Sequence, residues 1–292
     1  MNGLIANEEA RARHDSGPAS CSNRDNATSL PPYARLPINR CNLPAVILGS
    51  LTFQRSPTAL AIDGIAELHD GLFDMLDRTE GSAEAAQLFR DYIAAHFRLD
   101  NLEDAGLDDA SNKRAKANWV RTLRGWSFDS DGREGAVLKG WVESRFGLVP
   151  RFHREPLRDF TGPAWRRYEE MRAAGLYGTN ALEAQLDLLY AYCQYDFRRR
   201  AVDRLRLYRG INRIGEHEVL ASEGKRQVVL FNNLASFTAN RERAGEFGDY
   251  ILEADVPAAK VFFHSGLLPG VLRGEDEHLV IGGAYEIVMR TL

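Results

Sequence analysis

The chain has 292 residues, enough for one large domain or two ordinary ones, and its 44% apolar content is normal for a protein with a packed core. With 27% charged residues and a net charge of -4 it lacks the surplus of Lys and Arg that phosphate-backbone binding requires, which argues against nucleic acid as a partner. Three widely spaced cysteines, Cys21, Cys41 and Cys193, fit neither a disulfide framework nor a CxxC metal site, and no apolar run approaches the roughly 20 residues that span a bilayer. With no apolar leader at the N-terminus, these features predict a soluble cytoplasmic protein without a membrane segment.

Residues 1–30 are rich in Asn, Ser, Arg, Ala and Asp with few large apolar side chains, the composition of a disordered tail. Pro31, Pro32 and Tyr33 open a more apolar stretch through Leu48, where Pro37 and Pro44 favour an extended path clamped over the surface. From about 57 to 200 the periodicity becomes helical. Ile65, Leu68, Leu72 and Leu76 recur at intervals of three and four, as do Leu88 or Phe89, Tyr92 or Ile93, and Phe97, and Ser56 with Pro57 suits the start of the first helix. The strongest helix covers 179–200, with Leu182, Leu186, Leu189, Cys193 and Phe197 on one stripe and Arg198, Arg199 and Arg200 at the end where cations complement the dipole. Residues 31–200 thus form a mainly helical layer, suited to recognising a target or regulator.

After Arg200 short β-branched and aromatic runs predict strands at 205–208, 228–231, 250–256, 261–264, 278–281 and 284–289, with one helix near 240–247. The fold class is α+β, with a β-rich catalytic core over 201–292. Three features accompany these strands. Arg209, followed by Gly210, offers a planar cationic fork for a pyrophosphate, with glycine allowing close approach to the backbone. Ser236 and Thr238 flank Phe237, so on extended backbone both hydroxyls share a face; Thr238 also suits the N-cap of the following helix. Phe247, near the end of that helix, is packed in the core or lies over a flat cationic ring.

Glu275 and Glu277 bracket Asp276 immediately before an apolar strand. An extended backbone places the two glutamates on one face, where their repulsion is relieved by solvent or by a positive ligand. A carboxylate beneath a ribose stabilises the oxocarbenium-like charge of glycosidic cleavage, and a second carboxylate can deprotonate an acceptor. The substrate this combination suits is NAD, yet no GxGxxG motif follows a predicted strand, so a Rossmann site is not expected. The seven histidines show no HExxH spacing and no metal is expected; His278 is read as lying near Glu277 or in solvent, and Trp119, Trp126, Trp141 and Trp165 as mainly core.

In this order, Arg209, then Ser236 in its strand, then Glu275-Asp276-Glu277, the residues resemble the signature of the arginine-specific mono-ADP-ribosyltransferases over about 200–292. The segments Phe231 to Thr238 and Arg243 to Gly248 are similar to that family's strand, helix and aromatic pattern, with Phe237 departing where many members carry a small hydroxylated residue. The resemblance implies an ADP-ribosyltransferase-like fold with NAD as co-substrate. It assigns the NAD phosphates to Arg209, the nicotinamide ribose and support of the catalytic glutamate to Ser236, the ribose 2′-hydroxyl to Glu277 and the acceptor guanidinium to Glu275. With Leu36 to Pro44 and the chain length, the sequence resembles more closely the dinitrogenase reductase ADP-ribosyltransferase family. That closer resemblance implies transfer to an arginine of the nitrogenase iron protein, switching it off, and regulation by a PII signal protein.

Overall fold

The computed structural model describes residues 29–100, 118–177, 179, 181–213, 217–271 and 276–291. The expected tail therefore lies outside the described residues as far as 28, whereas Leu30, assigned to it, is a core residue with 1% of its surface exposed. The architecture is α+β, a helical half built against an antiparallel sheet.

The helical half begins with α1 (Ala45–Leu48), α2 (Leu51–Arg55), α3 (Ile65–Leu68), α4 (Asp70–Leu76) and α5 (Ser82–His96). The stretch expected to run extended is so only in part. Residues 34–36 pair across from 147–149, but Pro44 precedes α1, a place where a missing N–H costs a helix nothing. Ser50 caps α2 by accepting from Phe53 N at 3.3 Å, while Ser56 closes that helix instead of opening the next one. The 65–76 periodicity is interrupted at His69, so Ile65, Leu72 and Leu76 are buried while Leu68 is 68% exposed.

Then come α6 (Trp119–Phe128), α7 (Arg133–Phe146), a short hairpin of β1 (Phe152–His153) and β2 (Glu155–Pro156), α8 (Pro163–Leu176) and α9 (Leu182–Arg199). Asn118 caps α6 by accepting from Arg121 N at 3.1 Å, and Gly147 ends α7 in the left-handed region at φ 68°. The predicted stripe of α9, Leu182 through Phe197, is buried throughout.

Six strands make the sheet: β3 (Arg204–Ile211), β4 (Glu218–Glu223), β5 (Arg226–Thr238), β6 (Tyr250–Pro257), β7 (Val261–His264) and β8 (Glu277–Thr291); the helix α10 (Arg241–Gly245) follows β5. Their order is β4-β5-β3-β6-β8-β7, and β5 also pairs with β8, so β3, β6, β8 and β5 close a circuit. The closure is narrow on one side, where β3 and β5 meet only at Tyr208 and Thr238. Strand β4 was not predicted because its residues are mostly half-exposed or exposed and give no apolar alternation. The two runs 278–281 and 284–289 are one strand: at its middle Gly282 lies under a bulge in β5, where a Cβ would fall 1.8 Å from Asn232 O, and Gly283 adopts φ 122° against Gly49.

The same bulge ties the two halves together. Asn233 donates to Lys139 O at 2.7 Å and Leu148 O at 3.0 Å, and Asn232 accepts from Arg151 N at 2.8 Å. From the other direction buried Gln54 on α2 donates to Asp255 O and Glu286 O and accepts from Glu286 N, satisfying backbone groups of β6 and β8. Between these polar ties Trp141 packs on Phe262 with ring centroids 4.6 Å apart, and one apolar core runs from the helices into the sheet. Among the described residues no helix is long and apolar enough to cross a membrane.

Candidate active site

Strand β8 opens with Glu277, and its register against β5 sets the centre of the site. Thr238 lies opposite Glu277, Phe237 opposite His278 and Ser236 opposite Leu279. Since side chains alternate with period two, Ser236, Thr238 and Glu277 share one face. The Ser236 hydroxyl donates to Glu277 Oε1 at 2.6 Å, and the carboxylate-bearing residue is only 7% exposed. Phe237 points the other way, buried edge-to-face on Phe231 at 5.2 Å, so the bulky residue at this position lies beneath the strand and leaves the polar face clear.

Arg209 comes to the same place from β3. Its Nη1 donates to the carbonyl of Ser236 at 2.7 Å, so the guanidinium is fastened to the residue whose hydroxyl holds Glu277. Beside it stands His217, its ring edge-to-face with Phe231 at 5.0 Å; burial, and then the charge of Arg209, holds this imidazole neutral with a pKa lowered to about 3. Gly210 is needed for packing. A Cβ there would lie 1.9 Å from Ala244 O, so the backbone of α10 makes a close approach that only glycine admits.

Two residues that sequence reasoning left out reach Glu277 from α6. Trp126 Nε1 donates to Glu277 Oε1 at 3.2 Å and to Ser236 Oγ at 2.9 Å, and the Ser127 hydroxyl donates to Glu277 Oε2. Below the indole, Lys139 Nζ sits 5.8 Å from the ring centroid, held by Asp131 at 2.6 Å and by Phe152 O at 3.1 Å. Burial lowers the Lys139 pKa, with Asp131 opposing the shift. All four tryptophans are buried, including Trp126, and the sequence signal for its role was only the general one that a buried indole N–H must find an acceptor.

Several expectations change in detail. The N-cap of α10 is Asn240, whose side chain accepts from Glu242 N and Arg243 N; Thr238 instead accepts from Asn240 N at 3.1 Å and sets up the turn. The helix covers five residues, shorter than expected, and Phe247 beyond it is 59% exposed instead of packed in the core. His278 is neither in solvent nor on the face of Glu277: it is buried on the opposite face, its ring stacked on His264 at 5.7 Å, and burial lowers its pKa to about 4. Glu275 lies outside the described residues. Among the described residues no group of three or more His, Cys, Asp or Glu is arranged to hold a metal ion.

The described geometry thus gathers a guanidinium, three hydroxyls, an indole N–H and a carboxylate at the junction of β3, β5, β8 and α6. A family model described as dinitrogenase reductase ADP-ribosyltransferase matches residues 38–289. A Rhodospirillum rubrum protein named NAD(+)--dinitrogen-reductase ADP-D-ribosyltransferase is 41% identical over 254 residues, covering 85% of this chain and 92% of its own. No solved structure matches the chain.

Proposed function

The chain belongs to the dinitrogenase reductase ADP-ribosyltransferase family, and from that premise we propose that it transfers ADP-ribose from NAD to an arginine of dinitrogenase reductase, the nitrogenase iron protein, and thereby switches that protein off. The observation that carries the reading into this structure is the convergence of Arg209, Ser236 and Glu277, residues from three strands joined by hydrogen bonds of 2.7 and 2.6 Å.

NAD supplies the ADP-ribosyl group and the nicotinamide that leaves, taking with it the electron pair of the broken glycosidic bond. Arg209, anchored on the Ser236 carbonyl, offers its fork of donors to the pyrophosphate. Glu277 accepts from the ribose 2′-hydroxyl and stabilises the positive charge that develops on the sugar as the bond breaks. Ser236 holds that carboxylate in place, Thr238 adds a second hydroxyl on the same face, and the exposed ring of Phe247 is available to a cationic nicotinamide. Glu275 is assigned the acceptor: it orients the guanidinium and takes the proton lost when the nitrogen bonds to the sugar carbon. The family resemblance extends the proposal to a PII signal protein as regulator, and the widely spaced cysteines are in keeping with a cytoplasmic location.

Incubation of the purified chain with labelled NAD and the nitrogenase iron protein tests the reading. The expected result is one labelled arginine on the iron protein and release of one nicotinamide per label. NAD turnover without label on any protein would replace it with a glycohydrolase, and no turnover would overturn it.

A further inference from the structure

We propose that Trp126 and Ser127, at the C-terminal end of α6, are positioning residues for Glu277, so that the helical half supplies part of the catalytic geometry. The inference rests on the reading of Glu277 given above. A glutamate side chain has several rotatable bonds, and β8 fixes only where it starts. Two of the three donors to its carboxylate come from α6: the indole N–H on Oε1 at 3.2 Å and the Ser127 hydroxyl on Oε2; the third is Ser236 on Oε1 at 2.6 Å. Because Trp126 and Ser236 both bind Oε1, Ser127 is the donor on the second oxygen, and the pair from α6 fixes the plane of the carboxylate as well as its position.

The helix is suited to this. Its first residue is tied to α9, where Trp119 N donates to Gln185 Oε1 at 3.1 Å, and near its end Arg124 Nε donates to Val271 O at 3.2 Å. Trp126 itself is 3% exposed and rests above the Lys139 ammonium, whose hydrogen bonds to Asp131, Phe152 O and His153 Nδ1 hold it still. A tryptophan present only to fill space has no need to aim its single donor at a carboxylate shared with two hydroxyls.

Three variants test this: Trp126→Phe keeps an aromatic ring above Lys139 but removes the N–H, Ser127→Ala removes the hydroxyl, and Ser127→Thr restores one. Steady-state transfer to the iron protein and NAD hydrolysis are measured for each beside the parent. A carboxylate held by fewer donors misplaces the reacting geometry, so kcat should fall on the order of 10²-fold in Trp126→Phe and Ser127→Ala while KM for NAD stays nearly unchanged. Ser127→Thr should recover most of the parent kcat. An active parent whose Ser127→Ala variant keeps its kcat, loses only in KM, or is not rescued by threonine would overturn the inference and leave the proposed function standing. A parent without NAD turnover would overturn both. Ser127 is half-buried at the helix end, so its pair of variants decides the matter should Trp126→Phe fail to fold.

Discussion

The hydroxyl of Ser236 and the carboxylate of Glu277 meet at 2.6 Å although 41 positions separate them in the chain. They do so because β5 and β8 are antiparallel neighbours in a register that places Thr238 opposite Glu277, which sets Ser236 one diagonal step away on the same face. Hydrogen bonds from hydroxyls to carboxylates are among the stronger ones, and this one belongs to a buried acid with two further donors.

Ser236→Ala should leave a folded protein with a weakened site. Losing a hydrogen bond to a charged group costs about 1.5 to 3 kcal/mol, which as barrier height is a fall in kcat of about 10- to 10²-fold. Steady-state NAD hydrolysis and transfer, read beside a thermal melt, check it; a parent-like kcat would remove Ser236 from the site.

Glu277→Gln should abolish arginine modification and NAD hydrolysis together, with a loss on the order of 10² to 10³ in rate for a preorganised charge-stabilising group. Glu275→Gln should lose transfer to arginine but retain hydrolysis, because its proposed partner is the acceptor. Radiolabel transfer and nicotinamide release, followed in the same reaction, separate the two outcomes.

Arg209→Lys should raise KM for NAD much more than it lowers kcat. A lysine keeps the charge but loses the fork that can hold Ser236 O and a phosphate oxygen at once. Isothermal titration with NAD should show affinity weakened by about tenfold or more, the loss of one charge-assisted hydrogen bond.

Lys260 gives a pH dependence of stability. Its ammonium is fully buried, donates to Leu48 O at 2.9 Å and Gly282 O at 2.5 Å, and lies between the rings of Phe53 and Tyr285. Burial lowers its pKa to about 7 from 10.5. Between these values the unfolded chain binds more protons than the folded one, so this group makes stability rise with pH across that window, by at most about 1.4 kcal/mol per unit, and adds no further change below it. Chemical denaturation at pH 7 and pH 9 should show the parent gaining stability relative to Lys260→Met; parallel behaviour of the two would contradict the assignment.

Gly282→Ala should be severely destabilising, by roughly 3 kcal/mol or more, because its Cβ would meet Asn232 O at 1.8 Å. Gly71→Ala, inside α4 with nothing within 4 Å of its added carbon, should stabilise by up to about 1 kcal/mol. Melting temperatures of the two variants, measured side by side, should move in opposite directions.

What the sequence made legible was local. The stripe of α9 from Leu182 to Phe197 and the runs at β6 and β7 could be read because period 3.6 and β-branched enrichment are written within a few neighbouring residues. Where that periodicity was weak the reading failed: β4 shows no apolar alternation, and α1 was hidden by Pro44, which in fact precedes a helix. The sequence also set out Arg209, Ser236 and the acids around Asp276 in order, and the family resemblance gave those residues a meaning that spacing alone could not.

Only the tertiary structure decided which groups touch the carboxylate. Trp126 lies 151 positions from Glu277 and Ser127 lies 150, on a helix whose pattern indicates burial but not its neighbours. Contact at that separation depends on how α6 packs between α9 and the sheet and on the bulge at Asn232 and Asn233 that sets the register of β5 on β8. Those are properties of the whole packed core, in which each position is fixed by surfaces supplied from elsewhere in the chain.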